Sequence, residues 1–178
     1  MKKKFWTSDK LVALSALCIS LLTLVIFIRQ TNIMEKQSHL SAMPYLMIEG
    51  SDQGFDKMYI LDLVNHGVGP AIIVDRKITY KGKEYDLEFD EFLRDHMDGM
   101  DSVKIISNST VHRGLALPAG STRTIIKVGG GSTSYNNFLK VLERLSSPDF
   151  DYKISYKSIY NDHWYIDARD TEPTALEE

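Results

Sequence analysis

The longest unbroken apolar run in the chain lies near its N-terminus. From Leu11 to Ile28 the sequence reads LVALSALCISLLTLVIFI, without a charge. Wound as a helix, this run spans about 27 Å, close to the hydrocarbon thickness of a bilayer. A buried core helix usually keeps a polar stripe, whereas Ser15, Ser20 and Thr23 are the only polar positions here. The pattern predicts a transmembrane helix over 11–28 that holds the protein in the lipid bilayer. The following Arg29-Gln30-Thr31-Asn32-Ile33 lacks the small-x-small pattern of a signal-peptide cleavage site. Ser15-Ala16-Leu17-Cys18 is a poor lipoprotein site, because Leu17 precedes the cysteine and the apolar run continues well past it. Cys18 therefore reads as a small apolar residue of the helix.

Lys2, Lys3, Lys4 and Lys10 precede the run, and only Arg29 and Lys36 follow closely. The positive-inside rule makes 1–10 a cytoplasmic basic segment and sends the rest across the membrane, with Trp6 as an interfacial aromatic. This orientation predicts a single-pass protein of the inner membrane with a periplasmic or extracellular C-terminal domain. Residues 29–43 lack glycine and proline up to Pro44 and predict a helical stalk. Ile26, Ile33 and Leu40 recur every seven residues, which allows a homodimer seam through the stalk; two heptads carry that reading only a short way.

From Pro44 the pattern turns to short strands. Tyr45–Ile48, Lys57–Val64 and Ala71–Tyr80 are the first three, and the second is apolar on both faces except for Asp62, as a central strand would be. Lys81-Gly82 turns into Lys83-Glu84-Tyr85. Leu87–Met97 changes to helical period, with Phe89, Phe92, Leu93 and Met97 on one face, Asp86 as its cap and Gly99 beyond its end. Val103–Ile106, Gly114–Leu117 and Thr122–Val128 read as strands. Thr133–Leu145 reads as a second helix capped by Ser132 and stopped before Pro148. Asp151–Ser158 and His163–Ala168 form a hairpin, with Tyr152, Ile154, Tyr156, Trp164 and Ile166 on its inner faces. The sequence thus predicts a mainly β fold: an N-terminal transmembrane helix, then a β-sandwich over 44–169 with two short helices, then a frayed acidic tail over 170–178.

Composition narrows the function. The chain has 178 residues and one cysteine, so a disulfide framework or Cys-rich zinc module is excluded. Beyond the stalk's first half, residues 37–178 carry 15 basic and 22 acidic side chains, which disfavours nucleic acid and anionic surfaces as partners.

Asn65-His66-Gly67-Val68-Gly69-Pro70-Ala71 sits between two strands. Physically it is a structural turn, in which Gly67 and Gly69 permit positive φ, Asn65 tolerates it and Pro70 fixes the re-entry. The segment resembles the N-x-G-x-G-P-A turn of small, uncharacterised bacterial membrane-anchored proteins of the Bacteroidetes type. Pro44-Tyr45-Leu46, Leu117-Pro118-Ala119-Gly120 and the closing Asp151-Tyr152-x-Ile154-x-Tyr156 are similar to that group as well. The resemblance implies one N-terminal helix and an immunoglobulin-like sandwich, and no catalytic residues.

No G-x-S-x-G elbow or P-loop occurs. Gly129-Gly130-Gly131-Ser132 before a helix reads as a flexible connector rather than an anion site. The five histidines lack metal-ligand spacing, and the acidic stretch Asp86–Asp101 does not match a calcium loop. Catalytic, metal and cofactor residues are accordingly expected to be absent. Aromatics gather in the last hairpin, where Tyr160, Trp164 and Tyr165 are candidates for partner contact. The expected function is protein–protein contact within a membrane complex, with a membrane or periplasmic protein as partner. A ligand-binding sensor and an anchored hydrolase are the alternatives.

Overall fold

The computed structural model describes residues 8–176. Lys2, Lys3, Lys4, Trp6 and the last two glutamates of the expected tail lie outside the described residues. The chain divides into two compact units, Met1–Ser41 and Ala42–Glu178. The first is a single helix, α1 (Ser8–Ser41), long and apolar enough to cross a membrane. Its hydroxyls bond back to their own backbone: Ser20 Oγ donates to Ala16 O (2.9 Å) and Thr23 Oγ1 to Ile19 O (2.8 Å). Such back-bonding satisfies the hydroxyls within the helix itself, as an apolar surrounding would require. Without an internal Gly or Pro, the helix runs through the expected stalk and ends two residues short of the expected boundary at 43.

The second unit is mainly β. Its elements are β1 (Leu46–Gln53), β2 (Met58–Asn65), β3 (Ala71–Tyr80), β4 (Lys83–Tyr85), α2 (Phe89–His96), β5 (Lys104–Asn108), β6 (Ala116–Leu117), β7 (Thr122–Gly129), α3 (Ser132–Leu145), β8 (Phe150–Lys157), β9 (His163–Asp167) and β10 (Thr174–Leu176). They form two antiparallel sheets. One has four strands in the order β1-β2-β7-β5; the other has six, in the order β10-β9-β8-β3-β4 with β6 also pairing to β3. The chain changes sheet repeatedly, at β2–β3, β4–β5, β5–β6, β6–β7 and β7–β8.

One core joins both sheets. β8 alternates strictly, with Phe150, Tyr152, Ile154 and Tyr156 buried, as a strand with one core face must. Leu46, Leu63, Ile126 and Val128 come from the other sheet and Ile73, Ile78 and Ile166 from the same one. The helix α2 supplies Phe89, Phe92 and Leu93. Phe92 is fully buried and meets Tyr80, Tyr85 and Phe150 at ring distances of 5.8, 5.3 and 5.9 Å. Edge and offset contacts of this kind add to the burial itself.

Several elements differ from expectation. The first strand reaches Gln53, because pairing with β2 continues along its polar half. α2 is capped at Glu88 rather than Asp86: the Glu88 N–H donates to Glu91 Oε2, and the Glu88 carboxylate is itself held by Arg76 (2.8 Å) and the Val111 N–H (3.1 Å). Ser132 is the first residue of α3, not its cap. Gly131 takes the cap position at φ 99, which suits a residue without Cβ. The tail is not frayed throughout, since β10 pairs Thr174–Leu176 with Tyr165–His163 and extends the larger sheet.

Phe92→Ala is expected to cost about 3–5 kcal/mol, the range for deleting a large buried aromatic ring. Chemical denaturation of the full-length protein in detergent micelles would measure it.

Candidate functional site

The N-x-G-x-G-P-A segment closes β2 and crosses to β3. Asn65 is fully buried and bonds through both ends of its amide. Its Oδ1 accepts from the Tyr45 N–H (3.1 Å) and the Gly67 N–H (3.0 Å). Its Nδ2 donates to Gly69 O (2.9 Å), Leu117 O (3.0 Å) and Pro118 O (3.2 Å). Two hydrogens serving three carbonyls means that one is shared. Backbone bonds extend the grip: His66 N–H donates to Tyr45 O, Val68 N–H and Gly69 N–H to Met43 O, and Gly120 N–H to Asn65 O. One side chain thus ties the entry segment 42–45, the β2–β3 crossing and the β6–β7 turn.

The glycines act otherwise than expected. Neither Gly67 nor Gly69 has positive φ, and neither does Asn65. A Cβ on Gly69 would collide with the Ala42 backbone, and one on Gly67 with the backbone of Met43–Tyr45. The motif needs glycine for close backbone approach, which sequence spacing alone does not distinguish from a turn requirement.

The aromatics of the last hairpin do not converge. Trp164 faces the core and stacks on Tyr156, with ring centres 5.8 Å apart. Tyr165 lies on the opposite face of β9, its ring covered by Lys153 Nζ at 3.4 Å. Tyr160 sits in the β8–β9 turn and is partly exposed, its N–H donating to the buried Ser158 Oγ (3.0 Å). Alternation along β9 separates Trp164 from Tyr165, so the three residues do not form one patch.

A different surface is built at β1. This strand ends its sheet and pairs only with β2. The His66 N–H to Tyr45 O bond sets the phase of that ladder. Met47, Glu49 and Ser51 then turn their backbone groups to β2, while Leu46, Ile48, Gly50 and Asp52 turn theirs to the open edge. The Leu46 N–H is taken by Tyr156 Oη (3.3 Å). Beside this edge lies a cleft of about 220 Å³. Ile48, Gly50, Tyr59 and Leu61 of the smaller sheet line it together with Phe150 and Tyr152 of the larger sheet, Phe89 of α2, Leu142 of α3, and Ala168 and Arg169 just after β9. Asp52 Oδ1 accepts from the Tyr135 hydroxyl at 2.5 Å, which fastens the end of β1 to α3. Sequence reading missed this edge; the signal was Gly50 within a run that alternates Leu46, Ile48.

Charged groups elsewhere form pairs. Arg76 meets Glu88 and Asp86, Lys77 meets Glu84, and Arg113 meets Asp75. Among the described residues no group of three or more His, Cys, Asp or Glu side chains is placed to hold a metal ion. Tyr152 is fully buried with no partner for its hydroxyl, and burial raises its pKa well beyond the ordinary phenol value. On the outer face of the larger sheet, burial first and the Asp151 charge second hold the Asp167 carboxyl above the ordinary aspartate range. No protein-family model matches this chain, and a search of curated proteins finds no match.

Asn65→Ala takes a donor from the Gly69 and Leu117 carbonyls and the acceptor from the Tyr45 and Gly67 N–H groups, while Pro118 O keeps its bonds from Ser121. It is expected to cost about 2–4 kcal/mol, read from thermal or chemical unfolding. Asp167 carries a raised folded pKa, so the folded state binds its proton more tightly than the unfolded chain. Its effect is unfavourable at neutral pH and is relieved as pH falls through the raised pKa towards the ordinary value. Asp167→Asn is therefore expected to raise the melting temperature at pH 7 and to flatten its dependence on pH in that acid range.

Proposed function

We propose that this chain is a single-pass protein of a bacterial inner membrane that presents an immunoglobulin-like β-sandwich for protein–protein contact within a membrane complex. In this reading α1 spans the bilayer over 11–28 with the N-terminus in the cytoplasm, and the domain lies on the periplasmic side. The partner is a membrane or periplasmic protein, and no catalysis is involved. The observation that carries the contact reading is the open edge of β1, eight residues long and paired with another strand on one side only. Unpaired edge groups of this length accept another strand unless they are blocked. The anchor favours the same reading, because it confines the domain to partners at one membrane.

Within the domain, Asn65 and the close-packed glycines fix residues 42–45 against the β2–β3 crossing, beside the start of β1. The cleft beside β1 gives the ligand-binding alternative its own support, since it is concave, largely apolar and bordered by a buried phenol.

Crosslinking in intact cells, followed by purification through a C-terminal tag in detergent, tests the proposal. Recovery of a membrane or periplasmic protein in stoichiometric amount is expected. Recovery of the chain alone, or only with itself, overturns the contact reading and moves attention to the cleft as a small-molecule site. A variant lacking residues 11–28 is expected to appear in the soluble fraction.

A further inference from the structure

We infer that the β1 edge and the cleft beside it are one site, which takes an extended segment of a partner protein as an added strand and receives one large apolar side chain of that strand. This inference rests on the protein-contact reading above and names its surface.

Two independent features meet on the same residues. Ile48, Gly50 and Asp52 direct their backbone N–H and C=O groups to the open edge, as the phase of the β1–β2 ladder requires. Ile48 and Gly50 also line the cleft, so the same stretch offers a backbone ladder and a side-chain pocket. Strand addition uses both: main-chain bonds give affinity, and pockets for alternate side chains give specificity. The residue of an added antiparallel strand opposite Gly50 projects to the face on which a Gly50 side chain would lie. That face carries Tyr59 and Leu61 and opens towards Phe150 and Tyr152. The cleft, at about 220 Å³, exceeds the ~150 Å³ in which an apolar cavity holds a benzene ring. One Phe, Leu or Met side chain fits it.

The page also selects the occupant. A second copy pairing its own β1 antiparallel about the same position would set Gly50 against Gly50 and leave the cleft empty. The register that would instead set Ile48 against Gly50 places Glu49 directly opposite Glu49, in a strand without a basic residue, although each Glu49 keeps its His66 partner. The incoming strand is therefore a different sequence, neutral or basic, with a bulky apolar residue at the position opposite Gly50.

The test uses the full-length chain in intact cells, with a photoreactive phenylalanine analogue placed at Ser51. The segment it captures is mapped by mass spectrometry, made as a synthetic peptide and titrated into the purified full-length protein in detergent. Slowed amide exchange at Ile48, Gly50 and Asp52 is expected. Alanine in place of the inserted apolar residue is expected to weaken binding about tenfold or more, the scale of emptying a central pocket. Leu142→Trp, which fills the cleft from α3, is expected to lower the adduct yield to the same degree without lowering the melting temperature. Gly50→Pro removes an outward N–H and, because its Cβ would meet the Tyr59 hydroxyl, also pushes that ring into the cleft; it blocks edge and cleft together and is the second variant if the tryptophan disturbs folding. An adduct of the chain with itself, an adduct that survives both variants, or no adduct overturns the inference. If tag purification still recovers a stoichiometric partner, only the edge assignment falls; if it recovers none, the contact reading falls as well.

Discussion

The side-chain amide of Asn65 is the interaction on which the domain's connectivity depends. It is fully buried, and each of its polar ends is bonded to backbone that changes direction. A buried amide without partners would cost several kcal/mol, whereas one that closes three loops at once converts that cost into a fixed geometry. The loops are the entry segment, the β2–β3 crossing and the β6–β7 turn. Two of these carry the chain from one sheet to the other. Gly67 and Gly69 make the approach possible, because the entry backbone occupies the space their Cβ atoms would fill. Asn65 and the two glycines are thus one device: the glycines let the backbones come together and the amide satisfies the groups brought there.

The rest of the architecture follows from closing sheet edges. In the larger sheet, β10 and β4 stand at the ends and are three residues each. In the smaller sheet, β5 is five residues long and its register shifts between Ile105 and Ser107, while Asn108 donates to Asp90 (2.8 Å). Short strands and bulges are the usual means of blunting an edge. β1 has neither, and it is the longest of the edge strands. Tyr156 caps its first outward N–H, and Tyr135 fastens its far end through Asp52. The stretch between them is the part left for pairing.

Much of this was legible in the sequence, for reasons that differ between elements. The long apolar N-terminal helix was, because eighteen uncharged positions in a row without glycine or proline favour one. β3 was, because β-branched residues crowd it, and the inner face of β8 was, because aromatic and β-branched residues alternate there with period two. The two helices were, through Phe89, Phe92, Leu93 and the Tyr135–Leu145 stripe, although their caps were misplaced by one or two residues. Those caps are set by tertiary partners, Arg76 and Val111 for Glu88, which no local pattern shows. The role of Gly67 and Gly69 was misread because close approach and positive φ leave the same residue in the sequence. The contact surface expected around Trp164 and Tyr165 divided between two faces of one strand. The β1 edge stayed hidden, since an edge is defined by which strand is missing beside it.

Gly50 now has a physical account. A glycine inside a strand weakens it, through backbone entropy and the loss of a side chain to pack. The hydroxyl end of Tyr59 lies over the position and recovers part of that contact from within the sheet. A larger residue would collide with that hydroxyl and push the Tyr59 ring towards the cleft beside Ile48. β1 carries Glu49, which pairs with His66, and Asp52, which Tyr135 holds, and no basic residue, so two identical edges offer each other no opposite charge while a neutral or basic strand is unopposed. An edge that is open, indented and acidic is poorly suited to self-association and well suited to one kind of foreign strand. Stability forgone at Gly50 is what keeps that choice available.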